Sequence, residues 1–179
     1  MKKIISAANA KKIDTVTQGD HNIPALLLMD HAGRQVAEIA IELCGDELDR
    51  VMVLVGPGKN GGDAISAARW LRNLCPKIRV NILILTEDKK IAIDSKVQLE
   101  MLESDDDRVS IHYLDDERLY DFADSSFLRS GFSLVIEGVF GVGLSRPIQG
   151  NLIKLLNMVD DLKAIKISID VPAGISPDL

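Results

Sequence analysis

Three segments of this sequence combine glycines with carboxylates at points where a short apolar run ends. The first, GPGKNGGDA at Gly56–Ala64, follows the apolar run VMVLV. Its glycines allow close backbone approaches, and the free amides at the start of a following helix attract an anion such as phosphate. Gly56, Gly58 and Gly61 match the GxGxxG pattern, which alone is a weak signal for dinucleotide binding. The alternative is a tight turn in which Asp63 caps the helix.

The second segment, EGVFGVGLSRP at Glu137–Pro147, repeats this combination. Gly141 and Gly143 open the backbone, and Arg146 can bind a phosphate through its planar guanidinium. Glu137 lies at the end of a predicted strand, where its carboxylate could bind a cation or a ligand hydroxyl. In the alternative, Glu137 accepts hydrogen bonds from nearby amides and Arg146 forms a surface ion pair.

The third segment contains Asp170, which lies between the alternating apolar run KISI and the turn residues Val171–Gly174. A carboxylate at a strand end with apolar neighbours can have its pKa adjusted for acid–base chemistry. The alternative is an aspartate that only forms the turn. A weaker candidate is His31, beside Asp30 in MDHAG, for which a polar contact is favoured over catalysis.

The elements that must position these segments alternate between strand and helix. Apolar runs rich in β-branched residues predict strands at 51–55, 80–85, 109–113, 133–139 and 164–171. Helices are predicted between them at 64–74, 88–102, 115–128 and 151–159, after two N-terminal helices that end at Gly19 and Gly45. This alternation predicts a doubly wound α/β sheet with parallel strands. In such sheets ligands bind beyond the carboxyl ends of the strands, where the three segments fall.

The composition limits the classes of function. The 179 residues, 46% hydrophobic and 27% charged, are typical of one soluble globular domain over 1–179. A formal charge of −6 and seven aromatic residues argue against nucleic-acid binding. No apolar run approaches the roughly 18 residues of a membrane span, and the start of the chain lacks the pattern of a signal peptide. Two isolated cysteines, Cys44 and Cys75, exclude a disulfide scaffold and indicate the cytoplasm.

Taken together, four ordered segments resemble the YjeF N-terminal domain family of NAD(P)H-hydrate epimerases, which are often fused to a dehydratase. They are LLLMDHAGRQVAE, GPGKNGGDAISAARWL, VIEGVFGVGLSRPIQG and ISIDVPAGI. The resemblance covers nearly the whole chain and implies a Rossmann-like three-layer α/β/α sandwich that often forms a homodimer. It also implies interconversion of the R and S epimers of hydrated NADH or NADPH, damaged cofactors whose nicotinamide ring carries a hydroxyl at C6. The family typically uses a potassium ion.

The resemblance also implies roles for individual positions. The substrate would contact two sets of residues, Lys59, Asn60, Gly61, Gly62 and Asp63, and then Gly141, Val142, Gly143, Leu144, Ser145, Arg146 and Pro147. Asn60, Glu137 and Ala173 stand at the positions of the potassium site. Asp170 matches an aspartate proposed to act in catalysis and substrate binding. Its carboxylate would assist the C6 hydroxyl by proton transfer and would stabilise the cation left on the ring.

The chain departs from the family pattern near the expected ion. Lys59 replaces Asn, Glu137 replaces Asp and Ala173 replaces Ser, so two of three potassium positions are altered. We hypothesise that the Lys59 ammonium pairs with substrate phosphate or takes part of the ion's place. The altered positions also support an alternative function, a non-catalytic nucleotide-binding module. An ordinary NAD(P)-dependent oxidoreductase would need a separate substrate domain, for which no residues remain.

The length gives one further expectation. The resembled family continues past the fifth strand with more strands and a closing helix, whereas this sequence stops nine residues after Asp170. We therefore expect a truncated chain or the front of a longer bifunctional protein.

Overall fold

In the part of the chain that the structure describes, five strands form one parallel β-sheet. The computed structural model describes residues 6–86, 90–102, 106–123, 127–128, 131–144 and 147–175. The strands are β1 (Arg50–Val55), β2 (Arg79–Ile84), β3 (Val109–Tyr113), β4 (Leu134–Gly138) and β5 (Ile165–Ser168). They pair in the order β3-β2-β1-β4-β5, and every pairing is parallel.

Helices cover both faces of this sheet. They are α1 (Ala7–Gly19), α2 (Ala25–Cys44), α3 (Lys59–Leu74), α4 (Ile93–Leu102), α5 (Asp116–Ala123) and α6 (Asn151–Asp160). Successive residues of β1 point into two separate cores, so the strand has no polar face. Val51, Val53 and Val55 pack under α2, α3 and α4, whereas Met52 and Leu54 pack under α5 and α6. None of the described helices has the length and apolar character that crossing a membrane requires.

The strand order places a switch point between β1 and β4. The chain builds outward from β1 through β2 to β3 and then returns to the other side of β1 for β4 and β5. The helices that follow β1 and β4, α3 and α6, pack on opposite faces of the sheet, and open α/β sheets bind ligands at such a switch point. The predicted fold, a Rossmann-like three-layer α/β/α sandwich with two N-terminal helices, is confirmed.

Several predicted boundaries were wrong by three residues or more. Helix α5 ends at Ala123 rather than at residue 128, although residues 124–126 lie outside the described part. Helix α3 begins at Lys59 rather than at residue 64, so most of the glycine-rich segment is helical. Helix α4 begins at Ile93 rather than at residue 88, although residues 87–89 lie outside the described part. Strand β5 ends at Ser168 rather than at 171, because Asp170 has a φ of +69°, which an extended strand does not accommodate.

Candidate active site

The loops after β1 and β4 meet through their backbones. The N–H of Gly56 donates a hydrogen bond to the carbonyl of Gly138 over 3.2 Å. A Cβ atom at Gly56 would overlap the carbonyl oxygen of Val139, so only glycine fits at this contact. Gly56, directly after β1, therefore lets the first two predicted segments touch.

The first turn of α3 is pressed against the same loop. A Cβ at Gly61 would overlap the carbonyl oxygen of Gly56, and one at Gly62 would lie 2.6 Å from the sulfur of Met29. Both glycines are buried, and Gly58, not Asp63, is the N-cap of the helix. The alternative in which Asp63 caps this helix is therefore wrong. The N–H of Gly61 donates to the carbonyl of Gly58 over 3.1 Å, whereas the N–H groups of Lys59 and Asn60 precede the first acceptors of the helix and are available to an anion.

Asn60 ties the start of α3 to the end of β5. Its amide nitrogen donates to the carbonyl of Ile169 over 3.2 Å, directly before Asp170. Asp63 follows Asn60 by three residues on the same helix, so both side chains lie on the same face of α3. The helix therefore presents Asp63 toward the segment that carries Asp170.

Asp63 is the most strongly perturbed carboxylic acid of this site. Burial raises its pKa to about 7, and the negative charges of Asp14 and Asp170 add to the rise. The ammonium of Lys59 opposes the rise, and that side chain is exposed at the start of α3. A carboxylic acid with a pKa near neutrality can both deliver and take up a proton at physiological pH.

The backbone of the neighbouring loop holds the carboxylate of Asp170. The N–H of Val142 donates to Oδ2 of Asp170 over 2.7 Å. A Cβ at Gly141 would overlap the same oxygen, so any larger residue at this position would displace the carboxylate of Asp170. Asp170 is exposed and adopts a left-handed backbone conformation, which aspartate tolerates better than most residues. Its position depends on two loops rather than on a regular strand.

Glu137 makes a second connection between the loops. Its side chain is 8% exposed, and its Oε1 accepts the N–H of Val139 over 2.8 Å. Its Oε2 accepts the N–H of Ala173 over 2.9 Å, in the turn that follows β5. The structure therefore contains the amide-accepting arrangement of Glu137 that the sequence left open as an alternative.

The positions expected to bind potassium do not offer a fitting set of ligands in this arrangement. A hard cation prefers free oxygen ligands, but both oxygens of Glu137 already accept N–H groups. Ala173 contributes one of those N–H groups and has no side-chain oxygen. A cation beside Glu137 would face the positive ends of two amide dipoles. Potassium binding at Asn60, Glu137 and Ala173 stays a prediction.

The rest of the predicted substrate loop borders a cavity of about 510 Å³. Leu144 and Pro147 line it from the β4 side, and Ala173 and Gly174 line it from the β5 side. Gly143 is exposed beside it, whereas Ser145 and Arg146 lie outside the described residues. Helix α6 supplies part of the wall through Ile153, Leu156, Asn157 and Asp160. Sequence reasoning missed these helical residues, because an amphipathic pattern does not distinguish a core face from a cavity wall.

The polar residues of the MDHAG segment lie outside this cluster of contacts, although its Met29 packs against Gly62. Asp30 accepts hydrogen bonds from Nη2 of Arg69 and, over 3.1 Å, from Nε1 of Trp70. These bonds join α2 to α3, whereas the neighbouring His31 is exposed. The polar contact in this segment is therefore made by Asp30, and it is structural.

The fold and this crevice define a Rossmann-like domain with a candidate ligand site at the switch point of its sheet. The family described as YjeF-related protein N-terminus matches residues 25–179, and the chain belongs to that family.

Similar proteins agree with this assignment. An NAD(P)H-hydrate epimerase of Oenococcus oeni is 29% identical over 174 residues, which is 97% of this chain and 76% of that protein. One from Levilactobacillus brevis is 30% identical, over 99% of this chain and 75% of that protein. A bifunctional NAD(P)H-hydrate repair enzyme Nnr of Thermofilum pendens is 28% identical over 98% of this chain, which spans only 32% of that enzyme. The crystal structure of the yeast protein ynu0 (YNL200c) superposes with a TM-score of 0.77 at 20% identity, covering 97% of this chain and 72% of that one.

Proposed function

We propose that this chain is an isomerase that interconverts the R and S epimers of hydrated NADH and NADPH. The observation that carries the proposal is the hydrogen bond from Asn60 to the carbonyl of Ile169, which places the first turn of α3 beside the segment that carries Asp170, at the carboxyl ends of β1 and β5. Asp63 follows on the same helix face as Asn60, and the charge of Asp170 contributes to its raised pKa. The relatives named NAD(P)H-hydrate epimerase, matched over nearly the whole chain, support the same activity.

The nucleotide is held mainly by backbone groups in this proposal. The free N–H groups of Lys59 and Asn60, at the positive end of α3, bind the pyrophosphate. The exposed ammonium of Lys59 adds a positive charge at the same end. The loop from Gly141 to Pro147 contacts the remainder of the nucleotide. An acidic chain of net charge −6 can therefore bind an anionic ligand without a basic surface.

The chemistry requires that the bond between C6 and its hydroxyl opens and closes again. The lone pair of the ring nitrogen forms a C=N bond as the C6–O bond breaks, and the hydroxyl takes a proton from Asp63 and leaves as water. The Asp170 carboxylate stabilises the cationic ring. Water then adds to the opposite face of C6 and returns its proton to Asp63, so no atoms are gained or lost. In this assignment Asp170 stays catalytic and Asp63 joins it as the proton carrier.

Further expectations follow from the family resemblance. They are a homodimer, a location in the cytoplasm and cooperation with a fused or separate dehydratase. The bifunctional Nnr relatives support the last of these, because this chain matches one part of such an enzyme. Light scattering of the purified chain would measure its oligomeric state, for which the proposal predicts a dimer.

An assay of stereochemistry tests the proposed activity against the alternative of a non-catalytic module. A single epimer of hydrated NADPH is incubated with the protein, and the appearance of the other epimer is followed by chromatography. A calorimetric titration with the same compound measures binding separately. Faster appearance of the second epimer supports the enzyme, whereas binding without any acceleration supports the module.

A further inference from the structure

One buried carboxylate joins the ends of two neighbouring strands. Glu137 is the fourth residue of β4, and its two carboxylate oxygens reach forward to the N–H groups of Val139 and Ala173. Its own carbonyl accepts the N–H of Ile169 over 2.8 Å. A single residue therefore fixes the start of the β4 loop and both ends of the short segment that contains Asp170.

The geometry makes Glu137 a positioning residue for Asp170. Ile169 and Ala173 bracket Asp170 in the chain, and Glu137 holds both of them through hydrogen bonds. Val142, which fixes Oδ2 of Asp170, lies three residues beyond Val139 in the loop that Glu137 also holds. Glu137 therefore holds both the segment that contains Asp170 and the loop whose N–H binds the Asp170 carboxylate.

The chemistry of this junction resembles that of a bridging ion with the charges exchanged. A cation between two loops attracts carbonyl and hydroxyl oxygens from each of them. Here an anion lies between the loops and attracts an N–H group from each. The two sequence departures at this place are complementary, because the longer side chain of Glu137 reaches Ala173 and the alanine presents no hydroxyl that would compete.

We infer that the Glu137 carboxylate takes the place of a monovalent cation in this protein, so the substrate loops keep their arrangement without potassium. The inference rests on the proposed function in that it treats these loops as the nucleotide site. It predicts that neither the stability of the fold nor nucleotide affinity depends on potassium.

The experiment compares the wild-type chain in potassium chloride and in tetramethylammonium chloride at equal ionic strength. Thermal unfolding gives the midpoint temperature, and calorimetric titration gives the affinity for hydrated NADPH. The wild type is expected to keep the same midpoint and an affinity within about twofold in both salts. The double variant Glu137→Asp/Ala173→Ser shortens the carboxylate and supplies a hydroxyl, so its affinity is expected to fall about 10-fold without potassium.

Glu137→Gln tests the positioning role separately. Its amide nitrogen must face one of the two N–H donors, so one of the two connections is lost. The expected result is a kcat about 10-fold or more below that of the wild type, with a smaller change in KM, since the nucleotide amides of α3 are untouched. Glu42→Gln, on the exposed surface of α2, is the matched control and is expected to leave both constants unchanged.

Two results would overturn the inference. One is a wild-type midpoint or affinity that drops when potassium is removed and returns when it is restored. The other is unchanged kinetics in Glu137→Gln. If the double variant fails to fold, the wild-type comparison still decides. Failure of the proposed function gives a different result, because a chain without epimerase activity in either salt still reports its potassium dependence through unfolding and binding.

Discussion

The N–H of Val142 lies 2.7 Å from Oδ2 of Asp170, so the backbone of the β4 loop directly holds the carboxylate that follows β5. The two residues are 28 positions apart and are brought together because β4 and β5 are neighbours in the sheet. A hydrogen bond from a fixed amide favours one orientation of a carboxylate and supports its negative charge. Small changes in the β4 loop should therefore alter catalysis through Asp170.

Replacing Gly141 by alanine tests this dependence without changing the chemistry of any side chain. The new Cβ would overlap Oδ2 of Asp170, the end of a flexible side chain, so the carboxylate must move and lose the Val142 bond. We expect kcat/KM to fall about 100-fold, while the free energy of unfolding changes by about 1 kcal/mol or less. Gly19→Ala, at a position with open space around it, is the control and should retain full activity.

The raised pKa of Asp63 predicts a characteristic dependence of stability on pH. A pKa of about 7 in the folded state against an ordinary 3.8 means that the folded chain holds a proton that the unfolded chain has lost. The free energy of unfolding should therefore fall as pH rises from about 4 to about 7 and then level off. Asp63→Asn should raise it by about 1–3 kcal/mol at pH 8 and change it little at pH 4. Urea unfolding at both pH values measures this, and equal effects at the two would contradict the assignment.

The same carboxylic acid should control the pH dependence of catalysis. If the protonated form of Asp63 delivers the proton, kcat/KM decreases as pH rises through about 7. Asp14, Asp170 and Lys59 are the charged groups that influence this pKa. Removing the charge of Lys59 in Lys59→Gln should therefore shift the midpoint of the profile upward. A midpoint that moves downward, or does not move, would argue for a different titrating group.

The contact between the β1 and β4 loops predicts a large difference between two glycines of one segment. A Cβ at Gly56 would overlap the backbone of Val139, which cannot move without displacing β4, whereas a Cβ at Gly58 meets nothing within 4 Å. We expect Gly56→Ala to lower the free energy of unfolding by about 3 kcal/mol or more. Gly58→Ala should cost about 1 kcal/mol or less. Similar losses in both variants would contradict the close approach of the two loops.

The sheet could be predicted well from the sequence, and the glycine-rich helix start could not. The central strand β1 is apolar on both faces, and its pattern VMVLV is visible in the local sequence. Helix α3 begins five residues before its predicted start because Gly61 and Gly62 are poor helix formers. These helical positions nevertheless require glycine, because Gly56 and Met29 leave no room there for side chains. Such a requirement depends on contacts between distant residues.

Some features of the candidate site could likewise be predicted from the sequence, and others could not. The sequence indicated Asp170 and the first turn of α3, because acidic and glycine-rich ends of strands are visible locally. It did not reveal that Asp63 carries a raised pKa, since burial and the charges of Asp14 and Asp170 arise only in the fold. The bond from Glu137 to Ala173 spans 36 positions and depends on the register of β4 with β5.

The proposed epimerase activity and the role of Asp170 in it are tested most directly by measuring the epimerisation rate in wild type and in Asp170→Asn. A pure epimer of hydrated NADPH is added at neutral pH, and the initial rate at which the other epimer forms is compared with the rate in buffer. Asp161→Asn, exposed at the end of α6, serves as the matched control.

We expect rapid conversion by the wild type and by the control. We expect Asp170→Asn to lose about 100-fold or more in rate, with nucleotide binding largely kept. Conversion by the wild type no faster than in buffer, or an Asp170→Asn variant as fast as the wild type, would contradict the proposed function.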